Sequence, residues 1–256
     1  MKRKIKRILI SIFCFLFRWT KEKPTVLMYH SITSDNNPFS ISPKEFEKQI
    51  KYLKENNFKF LNTKDLDDLS KLPNKSVLIT FDDGYENVFI NAVPILKKYN
   101  IPAVFFISTN VVGEEINGVK IMNWEQIKFL SESSLFEIGC HGHNHIRFTS
   151  LKTDDLADQL MKSKNILEEK CGKSIKAISF PFGRSNQDVL KKIKEIGYFY
   201  GFGVKIKNLS KQDDILCLPR IAVDESVFSD IFFKDILKIG YSLYWQLRRF
   251  FIPKNI

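Results

Sequence analysis

Val77-Leu-Ile-Thr-Phe81 runs directly into Asp82-Asp83-Gly84. The run is short and almost wholly apolar, the pattern of a strand buried on both faces. Neighbouring side chains of an extended chain point to opposite sides. Asp82 and Asp83 therefore reach one site only if the strand breaks there, and Gly84 permits the break. Two carboxylates with separate tasks suit a metal hydrolase, one binding the ion and the other accepting a proton. Asp-Asp-Gly is also a common surface turn, but a buried strand leading into it argues for a site.

Outward from this junction, short apolar runs alternate with helical stretches. The strand candidates are 25–29, 76–81, 103–107, 136–140, 177–180 and 198–204. Helices are expected over 43–55, 87–99, 124–131, 153–170 and 186–196. The first has Ser42 as N-cap, Pro43 at the first helical position and Glu45 at the third, with Phe46, Ile50 and Leu53 on one face. The last two run into Gly172 and Gly197, each suited to a left-handed stop. Strand–helix alternation implies parallel pairing, in an open doubly wound sheet or a closed barrel. In both, reactive groups belong at the C-terminal ends of the strands.

The second signal is Phe136-Glu-Ile-Gly-Cys140 leading into His141-Gly-His143-Asn-His145, which holds all but one of the four histidines. The spacing of His141 and His145 predicts that one helical turn sets both imidazoles on the same side of a divalent ion. His143 points elsewhere, either supporting the site or solvated. With one carboxylate oxygen, two imidazoles leave positions for water and substrate. Zinc suits this set, and iron, cobalt or nickel can also occupy it.

Thr80-Phe-Asp-Asp-Gly84 followed by His141–His145 resembles the polysaccharide deacetylase (NodB-homology) family of carbohydrate esterases. The resemblance runs from Val26 to Val223 and includes Val26-Leu-Met-Tyr-His-Ser-Ile32, Phe46-Glu-Lys-Gln-Ile50 and Ile178-Ser-Phe-Pro-Phe-Gly183. It implies a distorted (β/α)7 barrel with a metal at its mouth. Asp83, His141 and His145 would be the ligands and Asp82 the general base. The backbone N–H of Phe182 would donate to the oxyanion. Tyr85, Pro181, Phe182 and Arg184 are expected at the substrate. The implied reaction hydrolyses an N-acetyl group of an amino sugar, in a bacterial polysaccharide or its lipid-linked precursor, leaving a free amine and acetate.

The chain departs from the family pattern in three places. Ser179 stands where the family places an Arg that orients the base, so Arg220 is expected to take that task. A later Asp-Trp motif has no clear counterpart. No histidine follows His145 to serve as general acid, although the leaving amine must be protonated. His30, at the end of the first strand, is either that acid or a structural histidine near the site. These departures keep open a second reading, a catalytically silent glycan-binding protein on the same barrel.

Forty Lys and Arg against 29 Asp and Glu give a net charge of +11. This is either a solvated Lys-rich surface or a sign of an acidic partner. No nucleic-acid-binding signature accompanies the charge, so no nucleic-acid partner is expected. Residues 1–7 carry five basic side chains, and Ile8–Phe17 is uniformly apolar. That run is too short for a conventional span, which needs about 20 apolar residues. It reads as signal-like or as a helix in the membrane interface. The expected organisation is a basic and apolar segment over 1–23, the barrel over 24–224 and an amphipathic helix over 225–256. That helix either packs on the barrel or rests on a membrane. A membrane-associated or cell-envelope monomer is expected, on a side of the membrane left open. The four cysteines are scattered without a metal-knuckle spacing and mildly favour a reducing compartment, and Cys140 and Cys217 read as core residues.

Overall fold

A computed structural model describes residues 22–35, 39–116, 118–205, 207–224 and 237. The expectations for 1–23 and 225–256 fall almost wholly outside these residues. Among the described residues, no helix is long and apolar enough to cross a membrane.

The long apolar runs become parallel strands because they have a hydrophobic layer on both faces, and the short Lys59–Phe60 pairs at one edge. They are β1 (Thr25–Tyr29), β2 (Lys59–Phe60), β3 (Ser76–Phe81), β4 (Ala103–Ile107), β5 (Phe136–Cys140), β6 (Ala177–Ser179), β7 (Tyr200–Phe202) and β8 (Ile221–Ala222). The sheet order is β7-β6-β5-β4-β3-β1-β8, with β2 paired to the start of β3. Phe202 bridges to Leu218 in parallel, and Leu27 pairs with Ile221. The segment 218–222 therefore joins the two edges of the curled sheet. The architecture is the distorted (β/α)7 barrel.

Helices α1 (Pro43–Glu55), α2 (Val93–Tyr99), α3 (Trp124–Glu132), α4 (Thr153–Cys171) and α5 (Gln187–Glu195) cover the outside. Phe46, Ile50, Leu96, Ile127 and Leu160 pack against Leu27, Ile79, Phe81 and Phe105 of the strands. Alternate strand residues, including Val26, Leu78, Val104, Phe106 and Phe202, form a separate cluster inside the curl. Burying each large apolar side chain contributes roughly 1.5–3 kcal/mol. Gly139 permits close approach, since a Cβ there would lie 2.4 Å from the Phe106 ring.

Local signals at the ends of helices act as expected. Ser42 accepts from the Glu45 N–H, and Gly172 ends α4 at φ 64°. The stretch from 87 to 99 differs from the uninterrupted helix expected. Val88–Ala92 forms a wider π-type turn before α2, in which Pro94 lacks an N–H for a regular ladder. This turn has a use. The Asn87 carboxamide bonds the Ile32 N–H and the Ser31 hydroxyl, and Asn91 Nδ2 bonds the Ile32 carbonyl. The chain just after His30 is thereby held.

Candidate active site

Strand register brings the motifs to one level. Tyr29 pairs with Phe81 and Cys140 with Ile178, so His30 follows beside Asp82, and His141 beside Ser179. The Asp82 N–H donates to the Tyr29 carbonyl at 2.9 Å, continuing the ladder past the strand end. Asp82 is two residues beyond Thr80 and four beyond Leu78, on the face turned into the barrel. It is 3% exposed.

There Asp82 meets Arg220, whose Nη1 and Nη2 donate to its two carboxylate oxygens at 2.7 and 2.6 Å. This two-pronged geometry is the strong form of the carboxylate–guanidinium pair. The guanidinium also donates to Thr80 Oγ1, Ser179 Oγ and the Gly203 carbonyl, and it lies over the neighbouring Phe106 and Phe202 rings, 5.5 and 5.9 Å from their centroids. The Ser179 hydroxyl donates to Asp82 Oδ2 at 3.0 Å. Arg220 thus occupies the position beside Asp82 that the sequence suggested for it. Burial pushes the Asp82 carboxyl up, but Arg220 first, and then His141, outweigh it and hold the group below its ordinary range.

Asp83 turns out of the strand itself, at φ 70°, with Gly84 following at φ 75°. Its Oδ1 lies 3.2 Å from Nε2 of both His141 and His145. The expected helical turn between these histidines is corrected by the structure. Gly142 at φ 79° and His145 at φ 51° form an open loop that curls left-handed, a shape an α-helix cannot make. Besides Asp83, His145 and Phe182 at φ 61°, the described non-glycine residues with positive φ are Asn57 and Asn100. Asn, Asp and His tolerate that region better than other side chains, so the costliest left-handed residue, Phe182, stands at this site.

The ligand atoms of Asp83, His141 and His145 lie within 4.8 Å of one another. His141 Nδ1 is 3.0 Å from the Ser179 carbonyl, which can only accept, so Nδ1 carries a proton and Nε2 is the nitrogen left to face Asp83 and a bound ion. Metal bonds of about 2.0–2.1 Å in a tetrahedron imply ligand separations of about 3.3 Å, close to the 3.2 Å between Asp83 and each histidine. Burial pushes the Asp83 carboxyl up, yet the hydrogen bonds and charges of the histidines hold it well below its usual range. The residues fit a divalent cation.

Around this group the mouth is partly aromatic. Phe182 is 58% exposed, with its ring 5.1 Å from that of His145 and under the Arg147 guanidinium. Tyr85 hydrogen-bonds Asp83, and burial together with that carboxylate pushes its hydroxyl up to about 12. His30 stands at the end of β1 with its ring beside that of Phe39. Arg184 is exposed, Pro181 is buried, and His143 is buried with Nδ1 2.8 Å from Thr109 Oγ1.

A family model described as polysaccharide deacetylase matches residues 70–201. The chain belongs to the polysaccharide deacetylase family. Poly-beta-1,6-N-acetyl-D-glucosamine N-deacetylase of Staphylococcus aureus is 33% identical over 217 residues, which cover 80% of this deacetylase and 75% of the relative. The Staphylococcus epidermidis protein of the same name is 30% identical over 205 residues, covering 75% and 71%. Among solved structures, IcaB from Ammonifex degensii aligns with a TM-score of 0.76 at 25% identity, over 85% of this chain and 97% of that one. Streptococcus pyogenes deacetylase PplD in complex with acetate gives 0.73 at 25% identity, over 85% and 98%. The chain is an enzyme, a carbohydrate N-deacetylase, and the reading as a silent glycan binder is set aside.

Two contributors escaped the sequence reading. In sequence Ser179 is only the residue standing in place of an Arg, yet its hydroxyl touches both Asp82 and Arg220 and its carbonyl orients His141. Thr80 adds a contact to Arg220. The strand register carries both, and no local motif announces it.

Proposed function

We propose that this deacetylase removes acetyl groups from a β-1,6-linked N-acetyl-D-glucosamine polymer, the substrate named for its staphylococcal relatives. Asp83, His141 and His145 would hold a divalent metal, zinc being the simplest choice for two imidazoles and one carboxylate. A cation held there supplies Lewis-acid chemistry, polarising the acetyl carbonyl and acidifying water.

The observation that carries the reading is the separation of the two carboxylates. Asp83 is turned to the histidines, while Asp82 is held ionised by Arg220 inside the barrel. Asp82 takes the proton of the attacking water, and Arg220 and Ser179 keep its carboxylate aimed. The Phe182 N–H, presented by its left-handed turn, donates to the oxygen that gains charge as the carbonyl is attacked. The exposed ring of Phe182 and the guanidinium of Arg147 offer the sugar a stacking edge. Tyr85 and Arg184 complete the expected substrate contacts.

His30 gives a proton to the leaving amine. Its support is its place at the end of β1, in register with Asp82. For His30→Ala, kcat is expected to fall by about 10²–10⁴, with zinc still bound. A variant that kept wild-type turnover would make His30 structural.

The basic terminal segments support action at an anionic membrane surface of the cell envelope. The full-length chain is expected to co-sediment with vesicles containing anionic lipid and to be released by salt. Sedimentation indifferent to anionic lipid would remove that part of the proposal. The function itself is tested by acetate release from β-1,6-linked N-acetylglucosamine oligomers, before and after chelation and zinc restoration. Acetate that is lost on chelation and returns with zinc supports the reading. No release from zinc-loaded, folded protein would exclude this substrate.

A further inference from the structure

We propose that Ser163 and Cys140 are positioning residues for the turn that carries His141 and His145, acting through a closed ring of hydrogen bonds on Gly142. The inference rests on the reading of Asp83, His141 and His145 as a metal-holding set. Gly142 lies between the two histidines at φ 79°, and a Cβ there would come within 3.0 Å of the Phe148 ring. Glycine is therefore required, and no side chain of its own can brace the turn. The bracing comes from outside.

The Gly142 N–H donates to Cys140 Sγ at 3.2 Å, and Ser163 Oγ donates to the Gly142 carbonyl at 3.0 Å. Cys140 Sγ and Ser163 Oγ are 2.9 Å apart. A serine hydroxyl has one proton, and here it goes to Gly142, so the thiol proton goes to Ser163 Oγ. The three bonds run in one sense around the ring, each polarising the next. Both side chains are fully buried, out of reach of competing water. Ser163 sits mid-way along α4, where serine is a mediocre helix former and a buried hydroxyl is costly unless bonded. Its bonds go to the turn, which gives its presence a reason.

The opposite side of the turn is gripped by the loop after β4. Ser108 Oγ donates to the His141 carbonyl, the Thr109 N–H to Gly142 and the Asn110 N–H to His143. Held from both sides, the turn keeps the two Nε2 atoms at equal distance from Asp83. A ring that orients metal ligands acts on affinity for the ion, and loss of such support typically weakens it about 10–100-fold.

The test uses the full-length chain and Zn²⁺ alone, with affinity read by competition against a chromophoric chelator and site symmetry by the visible spectrum of the Co²⁺ form. Ser163→Ala and Cys140→Ala open the ring, and Cys140→Ser keeps it with an O–H in place of the S–H. Leu167→Ala, a buried residue of the same helix, serves as a control for lost stability. The expected result is Zn²⁺ binding about 10–100-fold weaker in both ring-opening variants, with an altered Co²⁺ spectrum. Cys140→Ser and Leu167→Ala should bind as wild type does. Wild-type affinity in the ring-opening variants overturns the proposal, as does a loss that Leu167→Ala shares. If Ser163→Ala does not fold, the Cys140→Ala and Cys140→Ser pair decides. Folded wild type that binds no Zn²⁺ sinks the metal reading and the ring's role with it, and is recognised because every variant then behaves alike.

Discussion

Asp82→Asn is expected to lower kcat for acetate release by about 10²–10⁴ while leaving bound zinc stoichiometric. Asparagine has nearly the same shape and leaves Asp83, His141 and His145 in place, so metal content separates loss of the base from loss of the site. The amide cannot accept the proton of water. It also presents one N–H₂ to a guanidinium that now meets oxygen on both sides of the carboxylate, at 2.7 and 2.6 Å. Acetate release by the zinc-loaded variants, set beside metal analysis, is the measurement. More than a tenth of wild-type turnover in a folded, zinc-loaded Asp82→Asn protein would remove Asp82 from the role of base.

The second large effect is on stability. Arg220→Met removes a charge from a pair in which both partners are almost wholly buried, Arg220 at 0% and Asp82 at 3% exposure. Methionine fills much of the space over the Phe106 and Phe202 rings but leaves the Asp82 carboxylate without its counter-ion. Breaking a buried pair from one side costs about 3–5 kcal/mol, because the remaining charge stays desolvated. Urea unfolding should report a loss of that order. Adding Asp82→Asn to Arg220→Met should then cost less than the sum of the two single changes, because the orphaned charge is gone. Arg220→Lys retains the charge but not the two-pronged fork, and should fall between wild type and Arg220→Met. A loss under about 1 kcal/mol for Arg220→Met, or strict additivity in the double variant, would mean that the pair is not what holds this part of the barrel.

Much of the molecule was legible before any coordinates. The apolar run ending in Asp82-Asp83 and the run ending in His141 are strands of the expected bounds, because strands buried on both faces carry their pattern in every residue. The period of two through Leu78, Thr80 and Asp82 already sends Asp82 to the same face as the inner core. Ser42 and Gly172 mark helix ends by chemistry confined to a few neighbouring residues.

What the sequence could not supply comes from contacts between distant positions and from backbone shape. Arg220 meets Asp82 across 138 residues of chain, and only closure of the sheet through 218–222 brings them together. Spacing alone suggested a helical turn from His141 to His145, but the loop takes left-handed backbone at Gly142 and His145, packed against α4 and the loop after β4. Ser163 is, in sequence, one polar residue in a helix, and its bonds to Gly142 exist only once α4 lies along β5. Local pattern determined the strands, the helix ends and the residues able to do chemistry, because those depend on near neighbours. Register, curl and packing decided which of them meet, because those are properties of the closed sheet as a whole.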